Sequence, residues 1–122
     1  MQRREILASS LGMAMLSAVG LAQAQSTKTV RIVVPFASSG VQDTLARALS
    51  QEMGAALGQT VIVENRAGAG GTIGTGYVAR AEADGTVMVA AAASHNIAGS
   101  LYTKLPYDPQ KDFTPLAHIG GA

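Results

Sequence analysis

Three segments rich in glycine, serine and other small residues each follow a candidate β-strand, and they are where the chain could bind a ligand. They span residues 37–43, 65–72 and 92–96. Ligands of open parallel α/β sheets bind beyond the carboxyl ends of the strands, where helices begin with unpaired N–H groups and a partial positive charge. The pattern predicts a cradle of main-chain amides for a carboxylate or a phosphate. Periodicity alone favours the alternative that Ser38, Ser39 and Asp43 only cap a helix.

The glycine-rich stretch from Gly68 to Gly76 approximates a dinucleotide-binding fingerprint but does not match it. The G-x-G-x-x-G pattern fails because Ile73 occupies the last glycine position. The next strand ends without the acidic residue that should follow about 20 positions later. A Gly-Lys-Ser/Thr run is also missing from the sequence, which excludes a P-loop. The glycines therefore indicate turns and close packing rather than a nucleotide site.

Catalytic residues are sparse in the sequence. His95 and His118 are the two histidines, and neither forms a metal-ligand pair such as H-E-x-x-H. Ser94 precedes His95 directly, but adjacency does not align a nucleophile with a base, and the G-x-S-x-G motif does not occur. Ser38, His95 and Asp43 could still meet at the strand ends, so a secreted Ser/His hydrolase remains the alternative function. Without cysteine there is no thiolate zinc site, disulfide or cysteine nucleophile.

Residues 1–24 have the features of a secretory signal peptide. Arg3 and Arg4 form a short positive region, an apolar stretch follows, and Ala22-Gln23-Ala24 is a cleavage site of the A-x-A type. The paired arginines leave the ordinary and the twin-arginine export routes both open. We therefore expect export to the periplasm, with a mature chain of residues 25–122.

The charge of the mature chain argues against a nucleic-acid partner. Seven basic and seven acidic residues follow the leader, so the mature net charge is zero. No overall field attracts nucleic acid or anionic lipid, and any bound anion must be held by local geometry. Hydrophobic residues make up 48% of the full sequence, which is ordinary for a folded domain and excludes a disordered chain.

Strand-like and helix-like patterns alternate along the mature chain. β-Branched runs predict strands over residues 29–36, 60–64 and 86–91, with a fourth strand over 116–119. The apolar face of the first helix is marked by Leu45, Leu49, Met53 and Leu57. The inner face of the second helix is marked by Ile73, Tyr77 and Ala81. Ser94, His95 and Asn96 are N-cap candidates for a third helix, and Gly58 is a C′ candidate for the first.

This order predicts an α/β fold. Strand, helix, strand, helix, strand at this spacing implies right-handed crossovers and a three- to four-stranded, mostly parallel sheet with flanking helices. Asp43 and Arg47 are an i,i+4 ion pair of the favourable order on the first helix. Three or four strands make a thin core, since so small a domain buries only about 60–65% of its unfolded surface.

An ordered series of short motifs resembles the N-terminal part of the Bug-type solute receptors, the extracytoplasmic binding proteins of tripartite tricarboxylate transporters. The series runs Val33-Val34-Pro35-Phe36, Gly40-x-x-Asp43, Thr44-Leu45-Ala46-Arg47, Val63-Glu64-Asn65-Arg66-Ala67-Gly68-Ala69-Gly70-Gly71-x-Ile73-Gly74, Asp84-Gly85, Leu105-Pro106-Tyr107-Asp108-Pro109 and Lys111-Asp112-Phe113-x-Pro115. Together the motifs cover the whole mature chain.

The resemblance implies a two-lobed fold similar to type II periplasmic binding proteins, closing on a small carboxylate in the interlobe cleft. It favours the amide cradle over simple capping, and it implies a monomeric receptor without cofactor or metal. Membrane transporter subunits are the implied partners, with a sensing role as the alternative. Carried over by position, the ligand-binding residues are Phe36, Ser38, Ser39, Gly40, Asp43, Gly70, Gly71, Ala92, Ser94 and His95.

Three departures from the family pattern affect these expectations. Many members have Gly-Gly where this chain has Ser39-Gly40, and a proline where it has Ala67. Members are also substantially longer, so residues 25–122 are expected to form an incomplete first lobe. A non-functional remnant is therefore a further alternative to a binding-competent receptor.

Overall fold

The computed structural model describes residues 28–120 and confirms the α/β class. The predicted signal peptide lies outside these residues. Within this range three strands and three α-helices alternate, with one short 3-10 turn between the second strand and the second helix. They are β1 (Val30–Val34), α1 (Val41–Leu57), β2 (Val61–Asn65), the 3-10 turn (Ala69–Gly71), α2 (Thr72–Arg80), β3 (Val87–Val89) and α3 (Ala93–Leu101). Within the described range, the helices lack the length and apolarity to cross a membrane.

The three strands form one parallel sheet in the order β2-β1-β3. In the register, Ile32 of β1 lies beside Val63 of β2 on one side and Met88 of β3 on the other. The central strand is therefore the most deeply buried, and Val33 and Val34 are fully inaccessible to solvent. Because all strands run in the same direction, their carboxyl ends share one edge of the sheet.

Helices cover both faces of the sheet. On one face Ile32 and Val34 pack with Ala46 of α1, and Met53 and Met88 lie against this cluster. Alternation along β1 turns Val33 to the opposite face, where α2 lies against β1. Opposite faces for the two helices follow from right-handed crossovers, because the chain moves from β1 outward to β2 and then back across β1 to β3.

The apolar stripe predicted for α1 is only partly buried. Leu45 is 41% exposed and Leu57 53% exposed, whereas Asp43 and Ala46 are the buried residues of the helix. Ala46 lets the helix axis come close to β1, so the small residue faces the sheet and the leucines flank the contact. The predicted helix end is confirmed, since Gly58 has φ 62° and its N–H donates to the Gly54 carbonyl.

The inner face predicted for α2 is wrong at Ile73, whereas Tyr77 and Ala81 are half-buried. Ile73 is 57% exposed, and the buried residues are Gly74, Thr75 and Gly76. Apolar periodicity assumes that large side chains face the core, but here Gly74 does so and lets the helix backbone pack directly on Pro35, the residue after β1.

Two further expectations for the C-terminal part are corrected. The N-cap of α3 is Ala92, so Ser94 lies inside the first turn of the helix instead of capping it. The fourth strand expected at 116–119 does not form, and residues 113–120 are irregular. Leu116 and Ile119 are exposed there, and nothing in the described chain pairs with them as a strand.

Candidate functional site

Three helices begin at the carboxyl edge of the sheet, which is where the sequence predicts the site. The residues that precede them, Gly40, Gly71 and Ala92, are the N-caps of α1, α2 and α3. Each of these N-caps lacks a side-chain hydrogen bond to its helix. The caps expected from Ser38 and Ser39 are therefore not formed. Two first-turn N–H groups have main-chain acceptors, since Thr72 donates to the Ala69 carbonyl and His95 to the Ala92 carbonyl. The other amides at these helix starts have no side-chain acceptor among the described residues. Such amides, at the positive end of a helix, suit an anion.

The loop between β1 and α1 is organised around the carboxylate of Asp43. Oδ2 of Asp43 accepts the Ser39 N–H at 2.9 Å and Arg47 Nε at 3.1 Å, and Oδ1 accepts Asn65 Nδ2 at 3.0 Å. These three donors, Arg47 foremost, lower the pKa of Asp43 to about 2. The carboxylate is buried and its oxygens face the protein's own donors.

Asn65, the last residue of β2, joins this network from the neighbouring strand. Its Nδ2 also donates to the Phe36 carbonyl at 3.3 Å, and its Oδ1 accepts Arg47 Nη2 at 3.0 Å. The i,i+4 pair of Asp43 with Arg47 is confirmed. The part that Asn65 plays was missed, because residue spacing does not show which strand end lies beside which loop.

The outer part of this loop is open to solvent. Ser38 and Ser39 are exposed and Gly40 is half-buried. Ser39 has φ 71°, a left-handed conformation that favours glycine. The N–H of Ser39 points inward and donates to Asp43, which fixes the backbone at this residue. The exposed side chain of Ser39 therefore places its hydroxyl on the solvent side of the loop.

The loop after β2 lies against the first loop. A Cβ built on Gly71 would be 3.3 Å from Phe36 Cζ, so the aromatic ring packs directly on the glycine backbone. Gly70 faces Tyr102, whose hydroxyl donates to the Ala69 carbonyl at 3.3 Å. The structure thus brings Phe36 together with Gly71, as predicted residues of one site, and adds Tyr102, which the sequence did not single out.

His95 is directed away from the serines. Its Nε2 lies 3.0 Å from the Pro109 carbonyl, which can only accept, so this nitrogen carries the proton. The ring stacks with Tyr107 and meets Phe113 edge-on, while Nδ1 is buried without a partner among the described residues. The Ser/His pair required by the hydrolase alternative is therefore not assembled in residues 28–120.

The arginines at this edge of the sheet are held by the protein itself. Arg47 binds Asp43 and Asn65, and Arg66 pairs with Glu64 while its guanidinium lies 3.7 Å from the centre of the Tyr77 ring. Across residues 28–120, side chains of histidine, cysteine, aspartate or glutamate do not gather in threes that could hold a metal ion. Main-chain amides and the serine hydroxyls are consequently the groups best placed to meet an anion here.

Comparison with known protein families gives a match over most of the chain. The model of the tripartite tricarboxylate transporter family receptor matches residues 45–122. This segment contains most of α1, the strands β2 and β3, and the second and third segments of the predicted site, whereas the first loop precedes it.

Individual relatives show the same similarity. The chain is 38% identical to protein BugT of Bordetella pertussis over 76% of its own length and 29% of BugT. It is 47% identical to the periplasmic binding protein BugD, with a TM-score of 0.66 over 71% of this chain and 29% of BugD. It is 44% identical to MatC of Rhodopseudomonas palustris, solved with bound malate, with a TM-score of 0.66 over 74% of this chain and 31% of MatC. The chain thus spans about a third of the length of the relatives it matches.

Proposed function

The chain belongs to the tripartite tricarboxylate transporter receptor family, and from this premise we propose that it binds a small carboxylate as part of an exported solute receptor. The observation that carries the proposal is the convergence of three helix starts without side-chain caps at one edge of a parallel sheet. Those of their N–H groups that lack a partner compensate the charge of a carboxylate without a cationic side chain. Malate bound to MatC is an example of such a ligand.

Within this proposal the predicted residues have different tasks. The hydroxyls of Ser38 and Ser39 and the backbone around Gly40 approach the carboxylate from the first loop. Gly70 and Gly71 allow the second loop to come close, and the Phe36 ring forms an apolar wall beside them. Ala92 and Ser94 contribute backbone from the start of α3. Asp43 and His95 support the site from behind, since their side chains are bound by the protein itself.

The receptor role extends to location and partners. Residues 1–24 direct export, with cleavage after Ala24, and residues 25–122 form part of the first lobe of a two-lobed, monomeric receptor in the periplasm. The similarity to the periplasmic binding protein BugD supports this location. The bound carboxylate is handed to membrane transporter subunits, and the chain itself performs no chemistry on it.

A proline substitution tests the main-chain donors directly. Val41 is the first residue of α1, and Gly40 before it has ψ 172°, the extended conformation that proline requires of its predecessor. Proline is well tolerated at this position because the N–H there has no partner within the helix. Val41→Pro therefore deletes one donor and keeps the helix, while Val41→Ala removes the exposed side chain and keeps the donor.

Calorimetric titration of the full chain with malate, and then with other dicarboxylates, measures the outcome. We expect Val41→Pro to weaken binding about tenfold, the effect of one hydrogen bond to a charged group, and Val41→Ala to bind like the parent. The test can be repeated in a chimera in which residues 28–120 replace the matching segment of MatC, so that both variants are measured in a chain as long as MatC. Equal affinities for the two variants would refute the amide cradle. A chimera that folds but binds no dicarboxylate at about millimolar concentration would refute the carboxylate receptor.

A further inference from the structure

The side chains of Asn65 and Arg47, which are bound by the protein itself, fix the shape of the first loop. Asn65 donates from one amide nitrogen to Asp43 Oδ1 at 3.0 Å and to the Phe36 carbonyl at 3.3 Å. Its oxygen accepts Arg47 Nη2 at 3.0 Å. These bonds join residues 22, 29 and 18 positions apart in the sequence, so the end of β2 holds both ends of the loop at once.

The loop needs this support because its backbone is under strain. Ser39 has φ 71°, a conformation that costs a non-glycine residue free energy. The opposing interaction is the bond from the Ser39 N–H to Asp43 Oδ2. That bond depends on a buried carboxylate staying in place, and Asn65 and Arg47 are the side chains that compensate its charge.

Release of this carboxylate would also oppose ligand binding. Asp43 lies in the first turn of α1, whose N–H groups are the proposed anion donors. If Asn65 no longer held it, the carboxylate could turn to those donors and compete with a bound anion, or repel it. The network therefore keeps one negative charge inside the protein so that another can bind outside.

We propose that Asn65 is a positioning residue, which with Arg47 holds residues 36–40 in the ligand-ready shape before any ligand arrives. This inference rests on the proposed carboxylate-binding function. If it holds, Asn65 at the end of β2 orders the first loop in the absence of ligand. The affinity for the ligand then depends on a side chain that does not touch it.

Amide hydrogen exchange of the full chain, followed by NMR without ligand, tests the inference. Asn65→Asp removes the two donors and sets a second carboxylate against Asp43. We expect the protection of the Ser39 amide to fall at least about tenfold, while the amides of β1 change less than about twofold. Asn96→Asp makes the same chemical change on an exposed residue of α3 and should leave Ser39 protection unchanged.

An exchange of the two side chains adds a rescue. In the double variant Asp43→Asn with Asn65→Asp, the amide at 43 can accept from Ser39 and donate to the carboxylate at 65, which still faces Arg47. We expect the protection of the Ser39 amide to be at least about threefold higher in this double variant than in Asn65→Asp. Failure to recover, or an unchanged Ser39 amide in the single variant, would overturn the inference.

Titration with malate separates the inference from the function it rests on. If the parent chain binds malate, Asn65→Asp should weaken binding at least about tenfold and the exchange should recover part of it; equal affinity in the single variant would overturn the inference. If neither malate nor the other dicarboxylates shift the signals of the parent, the proposed function fails, whereas the exchange rates still decide whether Asn65 orders the loop.

Discussion

Gly74 of α2 lies directly against Pro35, the residue that follows β1. A Cβ on Gly74 would stand 2.9 Å from Pro35 Cα and 2.7 Å from the Arg66 carbonyl oxygen. Both are backbone atoms, one in each of the first two loops of the site. The separation of these loops, and with it the width of the cradle between them, is set by the absence of a side chain at position 74.

Gly74→Ala should therefore be strongly destabilising. Neither backbone segment can move away without shifting the end of β1 or β2, so we expect a loss of about 2 kcal/mol or more in the free energy of unfolding. Urea unfolding followed by circular dichroism measures it. The matched control is Gly99→Ala on α3, where the new Cβ meets Pro109 Cγ at an ordinary 3.6 Å and alanine favours the helix by about 1 kcal/mol. Similar losses in both variants would contradict the close-packing argument.

Ser39→Gly should stabilise the protein, in contrast to most glycine substitutions. The left-handed conformation at φ 71° costs serine about 1–2 kcal/mol, and glycine gives back about 0.5–1 kcal/mol through the greater freedom of the unfolded chain. A net gain of up to about 1 kcal/mol is expected. Ser38 is not among the described residues with positive φ, so Ser38→Gly should lose stability. Thermal melting of the two variants compares them, and a lower Tm for Ser39→Gly would count against strain at this position.

Acid should weaken the fold through Asp43. Its pKa in the folded protein is about 2, below the ordinary 3.8, first because Arg47 donates to it and then because the Ser39 N–H and Asn65 do. A folded-state pKa below the unfolded value means that the ionised group stabilises the fold above about pH 4 and that this contribution is lost as the pH falls toward about 2. We expect Asp43→Asn, which has no such titration, to show a flatter decline of the unfolding midpoint over this interval.

The comparison isolates Asp43 from other acidic groups. Thr86 and Lys28 lower the pKa of Asp84, and this contribution is the same in the parent and in Asp43→Asn. Glu52→Gln, at an exposed position of α1, serves as the control and should follow the parent curve. Parallel acid profiles for the parent and Asp43→Asn would show that the network does not depend on ionisation of this carboxyl.

His95→Ala should loosen the segment that follows α3. The His95 ring packs on Tyr107 and Phe113, and its Nε2 donates to the Pro109 carbonyl, so its removal leaves a cavity and an unpaired carbonyl. Trypsin should then cleave several-fold faster after the exposed Lys104, because cleavage follows the population of the opened segment. Asn96→Ala, one residue away and exposed, should cleave at the parental rate.

The same variant bears on the hydrolase alternative. If His95 served as a base, ester turnover by the full chain would disappear in His95→Ala. We expect no turnover above background in either protein, because Nδ1, the nitrogen left to act as a base, is buried without a serine hydroxyl as partner among the described residues. Parental turnover that vanishes with the histidine would revive the hydrolase.

Features that depend on neighbours along the chain were predicted correctly from the sequence. The β-branched runs predicted the three strands, each shorter than or shifted by a residue or two from the expected span. Gly58 ends α1, and Asp43 pairs with Arg47 one helical turn away. Such features follow from backbone geometry over four or five residues, and the residue types there are sufficient to specify them.

The buried faces of the helices could not be predicted in the same way. Hydrophobic spacing pointed to Leu45 and Ile73, but Ala46 and Gly74 face the sheet. Whether a helix packs through large side chains or through its backbone depends on how close the sheet can approach. That distance is a property of two elements together, and the periodicity of one does not contain it.

The residue types along the chain specified the order of strands and helices, their direction in a parallel sheet, and the three small-residue segments at one edge. The contacts of Asn65 with Asp43 and Phe36, and of His95 with Pro109, are visible only in the folded chain. The contacts of Asn65 arise from the register that sets Val34 beside Asn65, and the contact of His95 arises from the path of the chain after α3. Both bring together residues many positions apart, which local preference along the chain does not encode.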